Sequence, residues 1–181
     1  MPSPDLSAIA KWPNVPACYD WLSLDRRGRW RLQGQPVSHA GLIAFINRQY
    51  GNDDAGNWFL QNGPQRVFVS LDYTPWIWRL GTDDQLTAHT GAAAGTPQAA
   101  FIDEEGSVLL AATLGIGLLD DRDLPAWFAA CTDIGGATAS ETLLLAAMSG
   151  QSGVIWNDLP LQSIRRADVA ARFAFQTRPA P

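Results

Sequence analysis

The richest group of potential ligand-binding side chains in the chain is the segment Gln61-Asn-Gly-Pro-Gln-Arg66, between two apolar stretches. Its amides and its guanidinium could direct several hydrogen-bond donors at a small ligand, and Arg66 could bind a carboxylate in a bidentate manner. The alternative is structural: Asn62-Gly63 forms a turn, and Gln65 and Arg66 brace that turn against Asp72 or a neighbouring hairpin.

Two further residues could contribute to the same ligand site. His39 lies one residue inside a predicted helix, where a neutral imidazole could bind an anion beside free backbone amides. A capping or surface role is the alternative for it. Trp76 lies in an alternating strand and could line a pocket or a partner surface, or form core with Trp78. The candidate ligand-binding residues are His39, Gln61, Asn62, Gln65, Arg66 and Trp76.

The sequence offers little that could act as a catalyst. Only two histidines are present, and no serine or cysteine has a nucleophile-elbow context. The carboxylates fall in turn signals, where solvated side chains are usual. Cys18 and Cys131 are predicted to be buried free thiols, and Gly115-Ile-Gly117 lacks the third glycine of a dinucleotide fingerprint. We expect no catalytic residues, no metal and no cofactor.

Composition narrows the range of partners. The 181 residues carry a net charge of −5, and Lys11 is the only lysine. No basic stripe is visible, which disfavours nucleic acid and anionic membrane as partners. The longest apolar run, residues 108–119, is too short to span a bilayer, and the first residues lack the pattern of a secretory signal. These patterns predict a soluble cytoplasmic protein.

The first half of the chain predicts a small antiparallel sheet with one helix. Apolar residues alternate over residues 21–32 around Asp25-Arg-Arg-Gly28, which is typical of a hairpin with a glycine turn. Ser38 is the predicted N-cap of a helix that ends at Gly51. The remaining predicted strands cover residues 58–60, 66–71 and 76–80.

The second half repeats this order of elements. Residues 99–113, with the turn Asp103-Glu-Glu-Gly106, match the first hairpin, and a helix that begins near Asp123 follows them. A shorter third copy is predicted over residues 154–175.

Composition also predicts the domain boundaries. Residues 83–97 are rich in small residues, which is typical of a linker. The predicted segments are an N-terminal arm (1–17), a first α+β unit (18–82), the linker (83–97), a second α+β unit (98–181) and, within it, a frayed end (177–181).

Four strings carry a resemblance to a known family: Asp25-Arg-Arg-Gly-Arg-Trp30, Gly34-Gln-Pro-Val-Ser-His39, Gly56-Asn-Trp-Phe-Leu-Gln-Asn-Gly-Pro-Gln-Arg-Val67 and Thr74-Pro-Trp76. With them, the chain resembles an uncharacterised family of proteobacterial proteins classed as a domain of unknown function. More remotely it is similar to a second such family, with an Asp-x-x-Gly-x-Trp hairpin, a Gly-x-Pro-Ile turn and a helix. The resemblance covers residues 21–80. It implies a two-part fold with repeated motifs and no assigned activity, and members of the second family look like ligand-binding or signalling modules.

The predicted fold is α+β, with two small repeated ββα-type units of antiparallel sheet and packed helices. The predicted function is a non-enzymatic module that binds a small polar or anionic ligand, or a protein partner, in regulation or signalling. Its site is expected in the cleft between the halves. One alternative is an enzyme that acts on a small anionic substrate, with His39 as acid or base and Arg66 holding the anion. Another is a structural protein that forms a homodimer through its tryptophans.

Overall fold

The computed structural model describes residues 11–181, which form two units, each built around one sheet. The first unit ends at Pro75 and also includes Ala174–Pro181, and the second unit is Trp76–Phe173. Helices and strands are mixed in both units, so the predicted α+β class is confirmed. Of the predicted N-terminal arm, residues 1–10 lie outside the described residues, and Trp12 is buried.

The first sheet has six strands. In chain order, the elements of this unit are β1 (Ala17–Leu24), β2 (Trp30–Leu32), β3 (Gln35–Pro36), α1 (Ala40–Gln49), β4 (Tyr50–Asn52), β5 (Trp58–Asn62) and β6 (Gln65–Leu71). The sheet order is β3-β2-β1-β6-β5-β4, in which β1 and β6 are parallel and the other neighbours are antiparallel. A parallel pair requires a crossover connection, and α1 lies within it.

The second sheet has seven strands. In chain order, the elements of this unit are β7 (Trp76–Leu80), β8 (Leu86–Ala88), β9 (Pro97–Ile102), β10 (Val108–Ala112), β11 (Gly115–Leu119), α2 (Leu124–Ala130), α3 (Glu141–Met148), β12 (Ile155–Trp156), β13 (Leu159–Ser163) and α4 (Val169–Arg172). Short 3₁₀ turns precede α2 and α4. The sheet order is β12-β13-β9-β10-β11-β7-β8, with parallel pairing of β13 with β9 and of β11 with β7.

The two sheets share an order of five strands. The series β3-β2-β1-β6-β5 in the first sheet corresponds to β11-β10-β9-β13-β12 in the second, and the parallel pair stands at the same place in each. This agreement is consistent with the internal repeat predicted from the sequence. The predicted third copy falls on β12, β13 and α4, which belong to the second unit.

One kind of turn recurs in both units. At Asp25, Asp53, Asp103 and Asp133, the aspartate Oδ1 accepts the amide hydrogens of the second and fourth following residues, at 2.8–3.1 Å. The glycine three residues after each aspartate has a φ between +76° and +85°, which other residues adopt only with strain. Each of the four turns is therefore closed by its own aspartate carboxylate in the same way.

Two of these carboxylates are buried, although the sequence predicted solvated side chains. Asp25 is 6% exposed and Asp103 is 0% exposed. They tolerate burial because backbone amides occupy their oxygens. Burial works to raise the pKa of Asp25, but the amides of Arg29 and Arg27 and the Arg29 guanidinium outweigh it, and the pKa lies below its usual value.

Strand β7 belongs to the second sheet, whereas the sequence predicted it in the first unit. It pairs in parallel with β11, a strand much further along the chain, so no local pattern could indicate the pairing. The fully buried Trp78 ring lies over Gly117 of β11, and its Nε1 donates to the carbonyl of Leu110 on β10 at 2.8 Å. The side chain of Trp78 therefore links three strands.

The predicted linker also differs from the structure. Residues 83–97 contain β8 and the fully buried Ala94, whose amide donates to the Leu86 carbonyl at 3.0 Å. A segment of small residues is compatible with close packing as well as with a flexible connection, and composition does not distinguish the two.

The C-terminal residues are held in the first unit, whereas the sequence predicted fraying. The Gln176 amide donates to the Gly56 carbonyl at 2.9 Å, and the Leu71 amide donates to the Thr177 carbonyl at 2.8 Å. Phe175 is buried. A Cβ atom on Gly56 would overlap the carbonyl oxygen of Ala174, so this close approach requires glycine.

We predict that Gly117→Ala lowers the free energy of unfolding by about 1–3 kcal/mol, because the new methyl group would overlap the buried ring of Trp78. Urea unfolding measures the change. Gly51→Ala is the matched control, since a Cβ atom there meets open space, and its expected effect is below about 0.5 kcal/mol. Equal stability of Gly117→Ala and the wild type would contradict the packing described for Trp78.

Candidate functional site

Four of the predicted ligand-binding residues lie together on the hairpin of β5 and β6. Their polar groups are engaged within the first unit. Gln61 Nε2 donates to the carbonyls of Gly63 and Gln65 at 2.6 and 3.3 Å, and Asn62 Nδ2 donates to Gln65 Oε1 at 3.1 Å. Gln65 Nε2 donates to the carbonyls of Pro13 and Val15, both at 2.6 Å. The amides thus shape the hairpin and hold the segment that precedes β1.

Arg66 is the fourth of these residues, and it faces the Asp53 turn. Its Nη1 lies 3.8 Å from Asp53 Oδ2, and its guanidinium stacks 4.4 Å from the centre of the Phe59 ring. Burial works to raise the pKa of Asp53. The hydrogen bonds that it accepts from Asn57 and Ala55, together with the Arg66 charge, outweigh burial, so the pKa lies below its usual value. Arg66 therefore braces one hairpin against another, which is the structural alternative predicted from the sequence.

His39 is the N-cap of α1, so the predicted cap at Ser38 is wrong by one residue. The Nδ1 atom of His39 accepts the amide hydrogen of Leu42 at 3.1 Å, which satisfies one of the free amides of the first turn. The side chain is exposed. One ring nitrogen thus has a structural partner in the helix.

Trp76 belongs to the second unit, whereas the other five candidate residues belong to the first unit. It is 8% exposed, and its ring stacks on Trp78 with centroids 6.1 Å apart. A Cβ atom on Gly115 would lie 3.3 Å from this ring. Trp76 is therefore part of the core, and the ligand-binding role of the six residues stays a prediction.

A groove of about 530 Å³ lies within the second unit. Its walls come from the Asp103 turn, the end of α3, the end of β13 and the segment that leads into α4. Met148 and Ile164 supply the apolar lining. The polar lining comprises Glu104, Ser149, Ser163, Arg165, Asp168 and Arg172. We call this feature the Arg172 groove.

Arg172 is the distinctive cation of this groove. Its guanidinium lies 4.7 Å from the centre of the Phe101 ring and 5.8 Å from that of Phe173. Within residues 11–181, no carboxylate forms an ion pair with it. Phe101 is 2% exposed and belongs to β9, so the ring is a fixed platform. The charge is thus held in place by stacking and remains available to an anion.

The other charged groups in the groove, and Arg166 and Glu105 beside it, have hydrogen-bond or ion-pair partners in the second unit. Arg165 lies 3.8 Å from Asp168, and Arg166 lies 2.9 Å from Glu105. Glu104 Oε2 accepts the Arg166 amide hydrogen at 2.9 Å, and this bond, with the nearby arginine charges, lowers the pKa of Glu104. Glu104 is therefore ionised at neutral pH.

The sequence did not reveal the Arg172 groove. Arg165, Asp168 and Arg172 have helical spacing, which is an ordinary pattern for a solvated helix face. The ring that positions Arg172 comes from β9, far away along the chain. Only the parallel pairing of β9 with β13 brings these segments together.

Reactive side chains outside the groove are poorly placed for chemistry. Cys18 and Cys131 are buried, and burial raises the pKa of both thiols, that of Cys131 to about 12. In the part of the chain that the structure describes, no three His, Cys, Asp or Glu residues cluster as a metal site. Nor does any helix of residues 11–181 combine the length and apolar character that crossing a bilayer requires.

Comparison with known proteins matches the chain to one family without an assigned activity. The model of the family DUF2944, described as "Protein of unknown function (DUF2946)", matches residues 4–180. A crystal structure of a DUF1285 family protein from Silicibacter pomeroyi DSS-3 is 13% identical, with 90% of this chain and 88% of that chain covered and a TM-score of 0.52. It shows likeness of fold alone. The family resemblance predicted from the sequence, to proteins without an assigned activity, is confirmed.

A second DUF1285 family structure, from Shewanella baltica OS155, is 14% identical over 59% of this chain and 88% of that chain. Its TM-score of 0.42 is too low to support an argument. The search of curated proteins found no match.

We predict that Gln65→Ala releases the segment before β1, because two hydrogen bonds from Gln65, each worth about 1 kcal/mol, hold it. The Arg66 amide, which donates to Pro16, should then exchange with solvent at least about fivefold faster, as measured by NMR. Gln61→Ala is the control, because its bonds stay within its own hairpin. Unchanged exchange in Gln65→Ala would show that Gln65 does not hold this segment.

Proposed function

The chain belongs to the DUF2944 family of unknown function, and we propose that it is a non-enzymatic module that binds a small anionic ligand in the Arg172 groove, in a regulatory role. The observation that carries the proposal is the guanidinium of Arg172, stacked on a buried ring at the wall of a groove and without an ion-pair partner among residues 11–181. A planar guanidinium suits carboxylate and phosphate groups because it can donate two parallel hydrogen bonds.

The neighbouring groups support an anion of modest size. Ser149 and Ser163 present exposed hydroxyls in the same groove, and a hydroxyl can donate to a carboxylate or phosphate oxygen. Met148 and Ile164 offer apolar contact for the body of such a ligand. Few polar groups on a partly apolar wall are typical of small-molecule sites.

The electrostatics favour binding over catalysis. The lowered pKa of Glu104 makes its carboxylate a weak base at neutral pH, and Asp168 faces Arg165. In the alternative enzyme, His39 would be the acid or base, yet its Nδ1 caps α1. Both thiols have raised pKa values, so they are weak nucleophiles.

Helix α3 favours a second candidate function, the docking of another copy of this chain. Of its eight residues only Ala147 is buried, although five of the others are leucine, alanine or methionine. Leu145 is 57% exposed. A helix this apolar usually covers a core or an interface. Leu143, Leu144, Ala146 and Met148 are half-buried, so among the described residues Leu145 is the large apolar side chain of α3 that lies open to a partner.

We predict that Arg172→Gln weakens anion binding about tenfold or more, because a charge-assisted hydrogen bond contributes roughly 1.5–3 kcal/mol. The increase in melting temperature caused by each ligand measures its binding, with inorganic phosphate, succinate and citrate as probes. Arg172→Lys tests the bidentate geometry in case the Gln variant is too unstable, and Arg48→Gln, an exposed arginine of α1, is the control. If no probe raises the melting temperature of the wild type, or if the probes raise that of Arg172→Gln by the same amount, the proposal is wrong.

We predict that the wild type forms a dimer and that Leu145→Glu is monomeric, because a buried charge without a partner opposes association. Sedimentation equilibrium over a range of concentrations measures the mass. Ala44→Glu, which adds the same charge at an exposed position of α1, is the control and should dimerise like the wild type. A wild type that stays monomeric at every concentration rules out this use of α3.

A further inference from the structure

Two charged side chains of the Arg172 groove form no ion pair within residues 11–181, while their charged neighbours in and beside the groove do. The side chains of Arg165 and Asp168 face each other at 3.8 Å, and Arg166 turns to Glu105 at 2.9 Å. Once these pairs are set aside, the guanidinium of Arg172 and the carboxylate of Glu104 remain. The groove therefore presents one cation and one anion to a ligand.

Glu104 forms no ion pair with an arginine within residues 11–181, although the charges of Arg165 and Arg166 lie near enough to lower its pKa. Its Oε2 accepts the backbone amide hydrogen of Arg166, and within residues 11–181 no side-chain cation lies within ion-pair distance of it. A backbone donor orients the carboxylate but leaves its net charge in place. Glu104 can thus accept further hydrogen bonds from a ligand cation.

Strand β9 positions both charges. Glu104 follows the end of β9 in the Asp103 turn, whose carboxylate fixes the backbone through the amides of Glu105 and Ser107. Arg172 stacks on Phe101, near the end of the same strand. The two charges are therefore set by one rigid strand end, which favours a ligand with a defined separation of its own charges.

The surface of the groove between polar groups suits a short carbon chain. Met148 and Ile164 are its apolar lining residues. Methylene groups gain free energy when they leave water for such a surface.

We infer that the Arg172 groove takes a small zwitterion, an amino acid in the broad sense, whose carboxylate binds Arg172 and whose ammonium group binds Glu104. This inference rests on the proposed function, and it adds a requirement that an anion site alone does not have. A ligand amine should strengthen binding, whereas near a purely cationic site it would weaken binding.

The experiment compares carboxylic acids that differ only by a terminal amine. Acetate, propionate, butyrate and pentanoate are each paired with glycine, β-alanine, 4-aminobutyrate and 5-aminopentanoate. Titrations of the full chain, followed by amide NMR, give an affinity for each compound. We expect at least one amino acid to bind about tenfold tighter than its partner acid, at the chain length that matches the two charges.

Variants assign the effect to its residue. Glu104→Gln keeps an oxygen for the Arg166 amide but removes the charge, so it should abolish the advantage of the amine and preserve binding of the plain acid. Arg172→Gln should weaken both members of the pair. Asp158→Asn is the control, because it removes an exposed carboxylate of the second unit outside the groove lining.

The outcomes separate the two claims. If plain acids bind through Arg172 but amines bring no gain, or if the gain survives in Glu104→Gln, the zwitterion inference is wrong and the anion site stands. If no compound of either series binds while phosphate does so through Arg172, the inference is again wrong and the proposed function stands. Absence of binding by every probe contradicts both.

Discussion

The structure depends on one hydrogen-bonded device, the aspartate carboxylate that closes an Asp-x-x-Gly turn. Each such carboxylate accepts two backbone amides, and the glycine supplies the left-handed conformation that the turn requires. Asp25 lies between β1 and β2, and Asp103 lies between the equivalent strands β9 and β10. Because the backbone amides of the turn occupy its oxygens, an aspartate in this role can be buried at the edge of a core, and at Asp25 the Arg29 guanidinium adds an ion pair.

These turns set the hairpins, and parallel pairs, one in the first unit and two in the second, join the hairpins into sheets. Pairing of β1 with β6 and of β9 with β13 brings distant segments side by side, with helices in the intervening crossover. In the second unit this pairing carries the Arg165 to Arg172 segment to the end of β9. The Arg172 groove is therefore a consequence of sheet topology, with the Asp103 turn as one wall.

The segment that is richest in polar donors serves the fold. Gln61, Asn62 and Gln65 donate to oxygens of their own hairpin and of residues 13–15, and Arg66 lies against Asp53 and Phe59. Carbonyl groups lack ladder partners wherever the backbone leaves a strand, and glutamine side chains donate to four of them here. A cluster of amides beside a turn therefore indicates a structural role at least as strongly as a ligand.

The sequence by itself determined the α+β class, the hairpins around Asp25 and Asp103, and the helices α1, α2 and α3. These features rest on alternation, turn residues and caps, which act over a few neighbouring positions. Tertiary structure alone decided that β7 joins the second sheet, that the last residues fold back to the first unit, and that Arg172 lies over Phe101. Each of those contacts joins residues far apart in the chain, and their free energy comes from packing that local sequence patterns do not encode.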